Sequence, residues 1–421
     1  MASSGRFPPS STGGVEAVMT VRTRLAAATT VAILALTGLA VVSELYVSIP
    51  LFPTMQQAFG VSQAQASWLG TAFGLAYAAG FLIFGPLSDR YGRKAIMVPG
   101  LLGLTFTTLA VGFSTSYEVL VGLRVVQGVT AATFAPAALA YLGEQLPASL
   151  RATGIAVVTT GFLLAGIAGQ VYADAVTLAV GWEWVFWGLA AVYGAFVLLV
   201  YILPQSEEAV GDAETSIRTV YRRMAQLLRN RVLLVSYGAA FTLLFAFVGM
   251  YSGLAPHLQS TFDTSPGTLL FVRVAAVPGM LCSPLAGRLA TRYGSDRVVI
   301  AGLGLAAAGL TIEAAAGSLA VLIVGSLVFV TGIAVAVPSL IDFIGETAAS
   351  ARGAAVALYT CILFVGASLG PFAATSLEPI GFAGLSVGLA LVLVLAATAF
   401  TLGRHGTPPQ FTDDTAPGTA S

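Results

Sequence analysis

Apolar runs of about 20 residues, long enough to cross a bilayer as a helix, recur along almost the whole chain with only short polar breaks between them. Twelve are counted, over residues 26–51, 66–87, 95–114, 117–142, 153–175, 182–203, 232–255, 267–287, 297–316, 319–344, 352–376 and 380–402. Of the 421 residues 57% are hydrophobic and 9% charged, and the mean hydropathy is +0.89, so lipid has to serve as solvent. The expected fold is all-α, an integral membrane protein of twelve transmembrane helices.

The formal net charge is zero, yet the signs are sorted along the chain. With the N-terminus placed in the cytoplasm, all but two of the 19 Lys and Arg residues fall in interior segments and none in an outside loop. Basic residues are retained on the cytoplasmic side during insertion, so this asymmetry supports the span count and the orientation together. The expected location is the inner (plasma) membrane, with both termini cytoplasmic. Trp68, Trp182, Trp184 and Trp187 then begin helices on the outer side, as an interfacial belt would place them. The partners expected are membrane lipid, protons and a small-molecule substrate for a monomeric chain, and no nucleic acid. Cys282 and Cys361 lie in apolar runs and read as small buried thiols.

Residues 1–24 and 403–421 are polar and rich in small residues or proline, and both are expected to be disordered. The first apolar run has a basic flank like a secretory signal but no small-residue cleavage site, so a retained helix is expected, and Met19 offers a second start. Six-helix bundles are expected over 25–203 and 232–402, joined by a linker at 204–231 that opens acidic with Glu207, Glu208, Asp212 and Glu214. From Ser216 the linker reads as an amphipathic helix. Its apolar stripe of Val220, Met224, Leu227 and Leu228 is set against Arg218, Arg222, Arg223 and Arg229, which suits anionic headgroups.

A shift of about 202 residues superimposes Gly85, Leu87, Arg90, Tyr91 and Gly92 on Gly287, Leu289, Arg292, Tyr293 and Gly294, and Gly143-Glu144 on Gly345-Glu346. Arg151 maps to Arg352 within one residue of that shift. The two bundles are therefore pseudo-symmetric repeats of like orientation, the arrangement of a rocking transporter.

Between the second and third spans stands Gly85-Pro-Leu-Ser-Asp89-Arg90-Tyr-Gly92-Arg93-Lys94. Gly92 permits a tight turn, the cations can anchor to headgroups and helix carboxyl ends, and Asp89 can accept from a neighbouring helix N-terminus. This string resembles the signature of the major facilitator superfamily. In the fourth span Arg124-Val-Val-Gln127-Gly128 resembles the Arg-x-x-Gln-Gly pattern of that family's proton-coupled drug efflux members. The first span, from Glu44 to Pro53, is similar to the same group. In the fifth span Ala165-Gly166 stands where efflux members usually carry Gly-Pro. The resemblance implies the major facilitator fold, with the first and fourth helices lining a central cavity and the Gly85–Lys94 loop, with Glu144 and Arg151, acting as a cytoplasmic gate.

A lone charge at the membrane centre costs roughly 2.5–3.5 kcal/mol even on the mildest scale, so each one retained needs a reason. Glu44 lies about 9 Å and Arg124 about 10 Å below the outer ends of their helices, at matching depth. An ion pair between them is expected. In one reading Glu44 takes up a proton, loosens its hold on Arg124 and lets the halves rock. In another the pair is static, and in a third Glu44 is a counter-ion for a cationic substrate. Tyr46, Gln127 and Arg273 are further candidates for the cavity. Arg273 either meets an anionic group of the substrate or snorkels outward. Asp342, close to Glu346 and within reach of the basic 288–297 loop, is expected at an interior gate. Glu118, Glu183, Glu313 and Glu378 read as solvated helix ends, and His257 as an outer-loop residue.

The single lysine, Lys94, sits in no phosphate-cradling loop, so this chain does not use ATP directly. No zinc, dithiol or nucleophile-elbow motif occurs either, and no enzymatic activity or cofactor is expected. Energy then comes from a proton gradient or from the solute itself. The reading is a secondary active transporter of a small organic solute, with proton-coupled efflux ahead of an uptake symporter or passive facilitator, and a non-transporting sensor further off.

Overall fold

The computed structural model describes residues 12–204, 217–262 and 266–404. In hydrocarbon each backbone N–H and C=O must be satisfied within its own segment, and the described residues accordingly form helices and no strand. Twelve are long and apolar enough to cross a membrane: α1 (Arg24–Tyr46), α2 (Gln63–Tyr91), α3 (Arg93–Val111), α4 (Tyr117–Gln145), α5 (Thr153–Val180), α6 (Glu183–Tyr201), α7 (Arg231–Phe262), α8 (Thr268–Tyr293), α9 (Ser295–Ala314), α10 (Leu319–Thr347), α11 (Arg352–Ser376) and α12 (Glu378–Gly403). The helix that carries α1 begins earlier, at Thr12, inside the stretch expected to be disordered.

Proline decides where several spans break. The helix of α1 stops at Tyr46 and a second helix starts at Ser48, because Pro50 has no N–H to donate to the Tyr46 carbonyl. In α4 the helix is interrupted between Ala131 and Ala135, just ahead of Pro136, and α8 is divided into Pro266–Ala275, Val277–Met280 and Ser283–Tyr293.

The repeat shows in local geometry. Gly92 and Gly294 end α2 and α8 with φ of 96° and 91°, a region that L side chains rarely adopt. Ser116 and Ser318 both cap the helix that follows, accepting from Val119 N at 3.3 Å and Val321 N at 3.5 Å. The chain is thus two related six-helix halves, α1–α6 and α7–α12.

Alternate helix ends form an arginine-rich face, which carries the Gly85–Lys94 loop, and an opposite face. From the opposite face to mid-helix the halves are in contact. Trp68 packs edge-on against Phe372, with centroids 5.4 Å apart, and Thr71 Oγ1 donates to Ser368 O at 2.7 Å. Tyr77 and Phe81 both meet Phe364, at 4.8 and 5.5 Å. Asp174 on α5 is ion-paired with Arg273 on α8.

Three expectations about position change. The linker helix (Ile217–Leu227) buries Met224 and Leu227, and the Tyr221 hydroxyl lies 3.3 Å from Leu82 O, so these two residues of the stripe pack on protein rather than on headgroups, while Leu228 stays exposed. The acidic start of the linker lies outside the described residues, as do the side chains of Arg218 and Val220. His257 belongs to α7 and not to a loop; its ring stacks on Phe382 at 4.5 Å. Glu313 is buried, 1% exposed, because α10 closes over it: a Cβ on Gly325 would lie 2.8 Å from its Cγ.

Candidate functional site

The break after Tyr46 leaves main-chain acceptors at the carboxyl end of the α1 helix, a place that favours a cation. Arg124 on α4 fills it. Its Nη2 donates to Glu44 O at 2.8 Å, its Nε to Leu69 O at 3.1 Å, and its Nη1 to Glu44 Oε1 at 2.9 Å and to Gln127 Oε1 at 3.0 Å. The guanidinium also lies 4.5 Å from the centre of the Phe73 ring. Gln127, one helical turn along, donates its amide to Glu44 Oε1 at 2.9 Å and to Thr108 Oγ1 at 2.8 Å. Tyr193 on α6 completes the set, its hydroxyl 2.8 Å from Glu44 Oε2 and 2.9 Å from Ala40 O. Glu44, Arg124, Gln127 and Tyr193 are all at 0% exposure.

Side chains of α4 and α6 therefore converge on the α1 carboxylate in a buried site. Small residues let helices approach there: a Cβ on Gly169 of α5 would fall 2.7 Å from Ser43 O, beside Glu44. Tyr46, two residues on, is buried with its ring edge-on to Phe247 of the other half, centroids 6.0 Å apart. Phe247 in turn meets Tyr251 at 4.9 Å and Phe329 at 6.3 Å. A change at the Glu44 carboxyl thus lies two residues from a contact between the halves.

Arg273 is not in this cluster. It is fully buried and ion-paired with Asp174 across the halves, while its Nε and Nη2 have no hydrogen-bond partner. Asp174 comes from 99 residues earlier in the chain.

On the arginine-rich face the motif residues cluster within the first half. Arg93 Nε donates to Glu144 Oε1 at 2.8 Å and Nη1 to Ser88 Oγ at 2.9 Å, and Arg93 is also ion-paired with Asp89. Asp89 thus takes a cation one turn away, where the sequence pointed to a helix N-terminus. Lys94 Nζ donates to Tyr201 O at 2.8 Å and to Leu203 O, tying α3 to the end of α6. Arg90 lies over the Tyr91 ring, and Arg151 Nη2 reaches Leu146 O at 3.5 Å. Gly85 has open space around it. In the second half Asp342 lies within electrostatic reach of Arg352 and Glu346. Asp296 of that loop is ion-paired with Arg404.

Sequence reasoning missed Tyr193, Thr108 and Asp174. Tyrosine and threonine are common in apolar helices and carry no signal there. Asp174 did carry one, as an acid inside the fifth apolar run. Among the described residues no three His, Cys, Asp or Glu side chains group to hold a metal ion.

The family model described as Major Facilitator Superfamily matches residues 34–371 and 249–419. Of similar proteins, the "Inner membrane transport protein YnfM" of Escherichia coli is 28% identical over 272 residues, 64% of each chain, so the match spans just under two thirds of that protein. An "Uncharacterized transporter" of Buchnera aphidicola subsp. Schizaphis graminum is 25% identical over 85% of this chain and 87% of its own. "Efflux pump terG" of Aspergillus terreus is 31% identical over 36% of this chain and 30% of its own.

Proposed function

This chain belongs to the major facilitator superfamily of membrane transporters, and from that premise we propose that it exports a small organic solute across the inner membrane by alternating access, in exchange for protons bound at Glu44. The observation that carries the reading is the buried cluster of Glu44, Arg124, Gln127 and Tyr193, whose hydrogen bonds can be satisfied with Glu44 in either protonation state.

With Glu44 ionised, Oε1 accepts from Arg124 and Gln127 and Oε2 accepts from Tyr193. With a proton on Oε2, the carboxyl donates to the Tyr193 oxygen instead, and the tyrosine's own proton turns to Ala40 O, 2.9 Å away. No buried polar group is orphaned by the exchange. What changes is charge. Protonation removes the anion that offsets Arg124, and an uncompensated buried guanidinium favours an arrangement that readmits water or substrate. Main-chain carbonyls of Glu44 and Leu69 and the Phe73 ring keep Arg124 placed meanwhile.

The arginine-rich face is taken as cytoplasmic from the distribution of basic residues. On that assignment the two halves touch on the outer side and the chain faces inward, with Asp174–Arg273 as an outer latch and Arg93–Glu144 as part of the inner gate. Export is supported by the Arg-x-x-Gln-Gly resemblance, since Arg124 and Gln127 are the residues that hold Glu44, and by the name of the Aspergillus relative.

The test is purified protein in liposomes containing a pH-sensitive dye, given cationic, neutral and anionic compounds under an imposed proton gradient. Solute-dependent proton movement against the direction of solute, lost in Glu44→Gln, is the expected result. Solute flux with no proton movement would make the chain a facilitator and return Glu44 to a structural role.

A further inference from the structure

The second half contains a buried acid that the mechanism above does not use. Both carboxyl oxygens of Glu313 on α9 lack a hydrogen-bond partner, although the residue is 1% exposed. The Tyr251 hydroxyl on α7 and the Ser326 hydroxyl on α10 are likewise buried and unpartnered. These groups belong to one neighbourhood: Tyr251 lies close to Ser326 without a hydrogen bond between them and within electrostatic reach of Glu313, while Gly325, adjacent to Ser326, packs directly on the Glu313 side chain.

The internal repeat gives the cluster its meaning. The shift of about 202 residues that relates the halves carries Arg124 to Ser326, each seven residues into its helix. Where the first half sets a guanidinium against Glu44 the second half has a hydroxyl, and its buried acid stands at the position of Val111 in the first half. Among the described residues no cation is paired with Glu313 in its stead. From the helices packed around α9, α12 has no charged residue between Gly381 and Gly403, Arg273 of α8 is turned to Asp174, and Asp342 and Glu346 lie at the far end of α10. Tyr251 is a titratable group within electrostatic reach of Glu313. An ionised carboxylate in such a place would be neither solvated nor paired, whereas a carboxylic acid is neutral and gains a donor with which to reach an acceptor.

We propose that Glu313, with Tyr251 and Ser326, is a second proton-binding site, loaded in this conformation and placed in the half of the protein that lacks the arginine. Its loading stands independently of the Glu44 reading; only its part in transport rests on that reading. Tyr251 ties it to the contact between the halves, since its ring packs on Phe247, which packs on Tyr46.

Infrared spectroscopy of the full chain in vesicles, across a pH titration and with no solute present, tests the loading. At neutral pH the wild type should show the carbonyl stretch of a protonated carboxylic acid, which Glu313→Gln loses and Glu44→Gln keeps. Tyr251→Phe, which retains the acid, should displace the pH at which the band disappears, and so serves if Glu313→Gln fails to fold. In the liposome assay Glu313→Gln should lower the number of protons moved per solute, where Glu44→Gln abolishes coupled movement. A band absent from the wild type, unchanged in Glu313→Gln, or persisting at every pH at which the protein stays folded would overturn the proposal. Loss of the band on adding sodium but not choline would assign the site to a metal cation instead.

Discussion

Truncating Arg124 to alanine leaves Glu44, at 0% exposure, without a counter-charge and held only by the neutral donors Gln127 and Tyr193. Removing one partner of a buried ion pair costs about 3–5 kcal/mol, most of it the desolvation of the charge left behind. The same truncation takes the donor from two main-chain carbonyls, of Glu44 and Leu69, each worth about 1–3 kcal/mol when left unsatisfied. Adding Glu44→Gln removes the stranded charge and leaves only the second loss. The double variant is therefore expected to be more stable than Arg124→Ala alone, by up to about 3–5 kcal/mol. Thermal unfolding in detergent, followed by a thiol-reactive dye on the half-buried Cys282 and Cys361, measures the order of the two melting points. Equal melting points would mean that the carboxylate was not held by Arg124, and the ion pair would lose its place in the mechanism.

Two further perturbations address the helix contacts. Asp174→Asn breaks the ion pair between α5 and α8, so a cysteine at Thr71, in a background with Cys282 and Cys361 replaced by serine, should be labelled several-fold faster from the opposite face; an unchanged rate would remove Asp174–Arg273 as a latch. Gly169→Ala would set a Cβ 2.7 Å from Ser43 O and push α5 from α1 beside Glu44. It should cost about 1–3 kcal/mol of stability, and a melting point equal to wild type would show slack in that contact.

The twelve crossings were legible because lipid leaves so few ways to satisfy a backbone, and because the arginines mark one face. Matching depth along two helices was enough to bring Glu44 and Arg124 together in expectation, and the structure places them 2.9 Å apart. Their neutral partners were not legible: Thr108 and Tyr193 reach Gln127 and Glu44 from α3 and α6, and a hydroxyl in an apolar helix is too cheap to announce itself. Arg273 looked unpaired because its acid lies 99 residues earlier in the chain, and no local pattern links α5 to α8. Glu313 read as a solvated helix end because sequence does not reveal that a glycine on the next helix admits it to the interior. The Met224 and Leu227 stripe was visible in sequence, but not whether protein or lipid would cover it.

Exchange and gradient-driven transport by Glu44→Gln, compared in the same vesicles, bear most directly on the claim that proton binding at Glu44 drives the cycle. A carboxamide keeps the shape of the site and removes its titration. Solute-for-solute exchange should persist at a reduced rate, while accumulation driven by a proton gradient falls to background. Undiminished uphill transport by Glu44→Gln would contradict the account, and the cluster around Glu44 would then be a structural pin between helices.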